Sequence, residues 1–533
     1  MVESSRTFDA VVVGAGFAGM YMLHRLRELG FQAVSFERAD GVGGTWYWNR
    51  YPGARCDVES LEYSYSFSAE LQQQWEWSER YSGQPEILKY ANHVADRFDL
   101  RKDIEFETSV VSAKFNEAAK HWVVSTDRDE TVISRFLIMA TGCLSSTNMP
   151  QIDGIDTFEG ETYHTGEWPH EPVDLNGKRV GVIGTGSSAI QAIPYLANEA
   201  AELVVFQRTP NFSIPARNRS ADPAEVDAVK ADYETFRAVN RMAPAAIRGT
   251  MPGRDQSALD VAEPERTEEL LKRWEHGGFA FMGAFNDLGL NKASNDIAAE
   301  FVRERIRDIV DDPEVAETLA PHNVIGCKRI CLDTNYFETY NLPHVKLVDI
   351  NKDPIERLNA NGVKTAASQY DFDVVVFATG FDAMTGTLLR IDIQGLNGQS
   401  LQDKWAEGPK TYLGLTTANF PNLFMISGPG SPSVLTNMIV SIEQHVDWIA
   451  ACLEHMRANQ HQLINADANA ETEWVAYVNA IADMTLYPTC NSWYLGANIP
   501  GKPRVFMPHV GFPNYVQRCE EVVNNNYQGF ELA

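Results

Sequence analysis

The chain has 533 residues, enough for three to four domains at about 150 residues each, and its 45 basic against 72 acidic residues leave a formal net charge of −27. That balance opposes nucleic acid and anionic membrane surfaces as partners, since both are bound through a cationic face. A composition of 44% hydrophobic and 22% charged residues is that of an ordinary globular protein with at least one large core, which excludes disorder of the chain as a whole.

The start, MVESSRTFD, has no basic patch leading into an apolar stretch, no run of about 18 apolar residues follows anywhere, and the GFELA end carries no lipidation or retention signal. Seven cysteines (Cys56, Cys143, Cys327, Cys331, Cys452, Cys490, Cys519) are few, odd in number and scattered, with no CxxC pair. They argue against a disulfide framework or a zinc site. The expectation is a soluble protein of a reducing cytoplasm, with no metal.

From Ala10 a strand, Val11-Val12-Val13, runs into Gly14-Ala15-Gly16-Phe17-Ala18-Gly19, a helical stretch from Met20 to Leu29 and a second strand, Ala33 to Phe36, ending at Glu37. This is the strand, glycine turn, helix, strand unit that holds a dinucleotide, with the pyrophosphate on the helix N-terminus and the acid on a ribose. The unit recurs at Lys178 to Val182, Gly184-Thr185-Gly186-Ser187-Ser188-Ala189 and the strand Leu203 to Phe206. Glu37 stands 23 residues after Gly14, and Gln207 stands 23 after Gly184. A neutral Gln beside Arg208 suits a 2′-phosphate, because the repelling carboxylate is gone and a guanidinium is adjacent. The first site therefore reads as FAD or NAD and the second as NADP.

Two further strands, Phe136 to Met139 and Val374 to Phe377, both run into Ala-Thr-Gly and are expected to close the two sheets. Between them, Asp222 to Leu319 is helical in pattern, with Asp222-Pro223, Ser294-Asn295-Asp296 and Asp312-Pro313 as start signals. After about Thr385 come Gly/Pro-rich loops and an amphipathic helix near Ser441 to Met456, which by chain logic returns to the first domain. The expected fold is α/β: two Rossmann-like dinucleotide-binding domains, for FAD and NADP, with a helical insertion in the NADP domain. Its segments are 1–145 (FAD), 146–221 (NADP), 222–325 (insertion), 326–384 (NADP) and 385–533 (FAD).

Two dinucleotide sites in one chain imply hydride transfer from NADPH to a flavin. A disulfide reductase would need a cysteine pair near the first domain, where Cys56 stands alone, so reaction with dioxygen is the main alternative. Between the two units lies Phe158-Glu159-Gly160-Glu161-Thr162-Tyr163-His164-Thr165-Gly166-Glu167-Trp168-Pro169, which matches FxGxxxHxxxWP. Upstream stand Gly43-Gly44-Thr45-Trp46 and Tyr51-Pro52-Gly53-Ala54-Arg55-Cys56-Asp57. In these segments the sequence resembles the type I Baeyer-Villiger monooxygenases over essentially its whole length. By its Gly428 to Met438 loop it is most similar to the phenylacetone and steroid monooxygenase-like branch.

The resemblance implies an FAD- and NADPH-dependent enzyme that inserts one oxygen atom of dioxygen beside a ketone carbonyl, through a flavin C4a-peroxide, to give an ester or lactone. Oxygenation of sulfur or nitrogen is the alternative. It implies that Arg329 lies over the flavin and nicotinamide, paired with Asp57, as the charge that stabilises the anions formed. Lys328 and Arg208 would face the 2′-phosphate. Gly14, Gly16, Phe17, Ala18, Gly19, Glu37, Gly44, Thr45, Trp46, Tyr51, Val110 and Met438 would contact cofactor at the first site. Gly184, Thr185, Gly186, Ser187, Ser188, Gln191, Thr209 and Trp493 would do so at the second, Trp493 as a lid. Pro432, Leu435 and Met438 would line the ketone pocket. His164 and Trp168, which by their spacing alone read as core packing, would couple the domains.

Overall fold

A computed structural model of the chain describes residues 6–533. Its strands are β1 (Arg6–Val13), β2 (Ala33–Phe36), β3 (Ile104–Glu105), β4 (Val110–Asn116), β5 (His121–Thr126) and β6 (Thr131–Met139), then β7 (Glu161–His164), β8 (Arg179–Ile183), β9 (Glu202–Gln207) and β10 (Ser213–Pro215). They continue with β11 (Cys331–Asp333), β12 (Val345–Asp349), a hairpin sheet of β13 (Ile355–Asn359), β14 (Gly362–Thr365) and β15 (Gln369–Asp371), β16 (Val374–Phe377), β17 (Asp392–Gln394) and β18 (Leu423–Met425).

The first sheet has the order β17-β4-β5-β6-β1-β2-β3, with β18 also on β6, and the second has the order β12-β9-β8-β16-β7. Their centres are parallel and buried on both faces, as uninterrupted Val/Ile runs require. Ala10, Val12 and Ile138 enter one apolar core, while Val11, Val13 and Met139 enter another on the opposite face. The second sheet divides in the same way, Val180, Val182 and Val376 on one side and Ile183, Val375 and Phe377 on the other. The α/β fold with two parallel dinucleotide-type sheets is therefore present. The chain beyond residue 385 returns to the first sheet through β17 on β4 and β18 on β6.

Three local expectations are corrected. Strands β6 and β16 do not close their sheets but lie inside them, beside β1 and β8, where their ends can reach the glycine turns. Ser294-Asn295-Asp296 does not start a helix: Asn291 caps Lys292–Ile309, its side chain accepting from the Ala293 N–H at 3.0 Å. Ser294 and Asn295 are instead buried in the first turn, and Asn295 bonds to the Ile325 carbonyl and N–H, just ahead of Lys328 and Arg329. The helix expected near Ser441 to Met456 runs over Met438–Ala458 and is largely buried, because it packs against Phe17–Glu28 instead of resting on the surface.

Candidate active site

Both glycine turns have the same construction. Gly14 follows β1 with φ +106°, and a Cβ there would lie 2.7 Å from the Ala140 carbonyl oxygen; Gly184 follows β8 with φ +113°, and its Cβ would lie 2.5 Å from the Ala378 oxygen. Only glycine fits such a turn. The repeated Ala-Thr-Gly tripeptides thus supply the floor beneath each turn. Helices Phe17–Glu28 and Ser187–Glu199 then begin at Gly16 and Gly186 with no side-chain cap, which leaves first-turn N–H groups free for a phosphate. Around Gly186 a Cβ would meet nothing within 4 Å, so the space before the helix is open. These turns fit a pyrophosphate at each site. Phe17, Ala18 and Gly19 lie in the first turn of their helix, and Gly44 packs against Gly16 as the N-cap of the short helix Thr45–Trp48.

The residues after the second strands differ as their chemistry requires. Glu37 is buried and accepts from the Ala15 and Ala39 N–H groups at 2.7 and 2.8 Å, although burial still pushes its pKa up. Gln207 is buried and donates to the Thr318 carbonyl at 2.7 Å. Arg208 and Thr209 are exposed beside it, and the Thr209 carbonyl accepts from the Thr185 hydroxyl at 3.1 Å. The half-buried Lys328 has its pKa lowered by burial and then by the nearby charge of Arg208. Two cations crowded on one rim are arranged to take an anion, and a 2′-phosphate fits them. Val110 is the buried first residue of β4.

Arg329 stands where the two halves meet. Its Nε and Nη2 donate to the two Asp57 carboxylate oxygens at 2.7 and 2.8 Å, and Nη1 donates to the Val434 carbonyl at 2.8 Å. The Phe279 ring lies 4.8 Å from the guanidinium carbon. Burial opposes the charge of Arg329, but the Asp57 carboxylate outweighs it, so the pKa is raised and the cation is permanent. Phe279 and the Val434 carbonyl carry no sequence signal, since a backbone acceptor can come from any residue type.

Leu435, Met438 and Trp493 gather in one apolar cluster with Val434 and Tyr494, adjoining Arg329. Pro432 is buried at the start of the Ser433–Leu435 turn. Trp46 sits in the first core, with its Nε1 donating to the Tyr63 hydroxyl at 3.1 Å. Tyr51 instead packs on the second core, and its hydroxyl donates to Gln191 at 2.8 Å. Cys56 is buried and held as a thiol, which removes it as a redox nucleophile.

The 158–169 segment packs on the second sheet. His164 ends β7; its Nδ1 accepts from the Gly166 N–H at 3.0 Å and its Nε2 faces the Thr379 hydroxyl at 3.3 Å, with burial lowering its pKa. Trp168 is buried against Tyr163 at 5.2 Å. The Thr165 hydroxyl meets that of Ser188 at 3.0 Å, which ties the segment to the second helix N-terminus, whereas Ser187 is exposed. A single disulfide, Cys327–Cys490, contradicts the expectation drawn from cysteine number and scatter. The partners are 163 residues apart, and chain folding alone brings them together.

Residues 9–227 match the flavin-binding monooxygenase-like family. A Baeyer-Villiger monooxygenase of Pseudooceanicola batsensis is 43% identical over 98% of this chain and 95% of its own. A phenazine N-monooxygenase of Lysobacter antibioticus is 42% identical over 100% and 98%. Among solved structures, oxidised steroid monooxygenase bound to NADP superimposes with a TM-score of 0.94 at 49% identity, covering 99% of each chain.

Proposed function

The chain belongs to the flavin-binding monooxygenase-like family, within its Baeyer-Villiger group, and from that membership we propose that Arg329, fixed by Asp57, is the residue on which its ketone oxygenation turns. The enzyme is an FAD- and NADPH-dependent monooxygenase that converts ketones to esters or lactones. Reduced by NADPH, the bound flavin supplies oxygen activation.

The protein supplies binding and charge. FAD is assigned to the Gly14 turn, with Gly16, Gly19, Glu37, Gly44 and Trp46 around it. NADP is assigned to the Gly184 turn, with Gly186, Ser188, Gln191, Arg208 and Lys328, and the segment boundaries given above divide the chain accordingly. As the ketone carbonyl is attacked, negative charge develops on its oxygen. A guanidinium held at two points by Asp57 and at a third by the Val434 carbonyl needs no reorganisation to meet it, which is the condition for electrostatic stabilisation. Leu435, Met438 and Trp493 exclude water beside that charge. Pro432 shapes the loop, and the solved steroid monooxygenase supports a pocket for bulky ketones. His164, beside Thr379 at the end of β16, and Trp168, in the second core, are assigned the coupling of NADP binding to the first half. No helix among the described residues is long and apolar enough to cross a membrane, and we place the enzyme in the cytoplasm.

The three-point anchorage of Arg329 carries this reading. Purified protein incubated with NADPH and linear, aryl, macrocyclic and steroid ketones, with thioethers and amines in parallel, gives products one oxygen heavier that mass spectrometry identifies as esters or lactones. Sulfoxides or N-oxides with no ester from any ketone would move the assignment to heteroatom oxygenation, the activity that the phenazine relative's name denotes.

A further inference from the structure

The Cys327–Cys490 disulfide has no part in the chemistry above, yet it joins two elements that the chemistry needs. Cys327 directly precedes Lys328 and Arg329, and Cys490 lies three residues before Trp493. The C-terminal segment between about 485 and 508 has only short turns, Tyr487–Thr489 and Trp493–Leu495, and no strand. Apart from Tyr494, Phe506 and Met507, which are buried in the apolar cluster with Val434, it is held by scattered polar bonds: Asn498 to the Phe381 carbonyl at 2.7 Å, Lys502 to Asp382 at 2.6 Å and to the Ala383 carbonyl at 2.7 Å, and the Gly430 N–H to the Met507 carbonyl at 2.6 Å. The disulfide is its covalent tie, and it runs to the loop that carries the cofactor-facing cations.

We propose that Cys327 and Cys490 form a reversible redox latch, which when closed holds the Trp493 segment over the NADP pocket and when opened by a dithiol releases it. The proposal rests on Trp493 belonging to the NADP site. Exposure differs between the partners: Cys327 is buried, while Cys490 is half-buried and open to a small thiol. A dithiol thiolate attacks the Cys490 sulfur, the S–S bond breaks, and Cys327 leaves as a thiolate that then takes a proton. The second thiolate of the dithiol attacks the resulting mixed disulfide, freeing Cys490 and departing as a cyclic disulfide, so that two electrons pass to the pair. The Asn323 amide donates to the Cys327 sulfur at 3.3 Å, which stabilises that leaving group. Oxidation by hydrogen peroxide closes the latch again, with two thiols and one peroxide giving the disulfide and two waters. In a reducing compartment disulfides are usually of this transient, sensing kind.

The test uses the FAD-loaded full chain, untreated or treated with dithiothreitol and desalted. Alkylation after denaturation counts five thiols in the untreated protein and seven after reduction. Reduction weakens NADP⁺ binding by about fivefold or more, the lower range of coupling between sites, raises NADPH consumed per ester formed, and speeds tryptic cleavage after Arg504. Cys490→Ser reproduces the reduced values and does not respond to dithiothreitol, and hydrogen peroxide restores the reduced wild type but not this variant. Seven thiols that persist after hydrogen peroxide treatment would overturn the latch, as would equal NADP⁺ affinity and equal cleavage in both states. Should Cys490→Ser not fold, the two states of the wild type decide. Absence of ester in both states would instead count against the assigned reaction, with NADP⁺ affinity still deciding the latch.

Discussion

A half-buried guanidinium beside a carboxylate can be structural ballast or the centre of a reaction, and for Arg329 substitution separates the two. Arg329→Ala is expected to lower ester formation by roughly 10²-fold or more, the scale of removing one oxyanion donor, while FAD content is retained; lactone yield at fixed enzyme measures it. Lysine should not rescue, since a single ammonium cannot hold both Asp57 oxygens and the Val434 carbonyl in one plane. A second residue-scale effect concerns pH. His509 is fully buried, stacks on Trp474 at 5.5 Å, and burial pushes its pKa down to about 4. The unfolded chain then binds a proton at higher pH than the folded one does. Stability from this group is complete above the unfolded value of about 6.5 and is lost as pH falls towards 4. His509→Phe keeps the stack and removes the proton, so thermal melts of the variant should show a shallower decline from pH 6.5 to 4 than the wild type.

At the scale of elements, the two glycine turns show why a strand end, a turn and a distant tripeptide act together. Gly184 sits on the Ala378 carbonyl, so that Gly184→Ala puts a methyl 2.5 Å from a backbone oxygen in a left-handed conformation. NADPH oxidation should fall by about tenfold or more, the cost of displacing a helix N-terminus from a phosphate by the order of 1 Å. FAD stoichiometry should stay near one, since the first turn is built on different strands. Loss of flavin from this variant would show that the two turns do not fold independently.

At the scale of the whole molecule, polar bonds run between the halves. Gln191, on the helix of the second turn, accepts from the Tyr51 hydroxyl at 2.8 Å and donates to the Arg55 carbonyl at 3.0 Å, joining the Tyr-Pro-Gly segment before Asp57 to the NADP side. Gln191→Ala removes these bonds together with that from the Arg55 N–H at 3.3 Å, and the expected result is a several-fold rise in NADPH consumed per ester, with flavin reduction by NADPH less affected. Parallel assays of NADPH loss and ester yield measure the ratio.

The opening charge balance takes on a narrower meaning at this scale. On the assignment proposed above, a chain of net charge −27 handles two pyrophosphates and a 2′-phosphate with helix N-termini and a few placed cations. Periodicity and glycine spacing were enough to determine the two α/β units and their order, while the Glu37/Gln207 contrast left the first site open between FAD and NAD and read the second as NADP; each of those signals is local, since a turn, a helix start and a strand end lie within a few residues of one another. Other features became visible only in three dimensions. The Ala140 and Ala378 carbonyls beneath the turns, the Val434 carbonyl on Arg329, the Thr165 to Ser188 bridge and the Cys327–Cys490 bond all join residues far apart in the chain. Backbone carbonyls and chance-looking cysteines carry no pattern of their own, and only packing of the whole chain selects their partners.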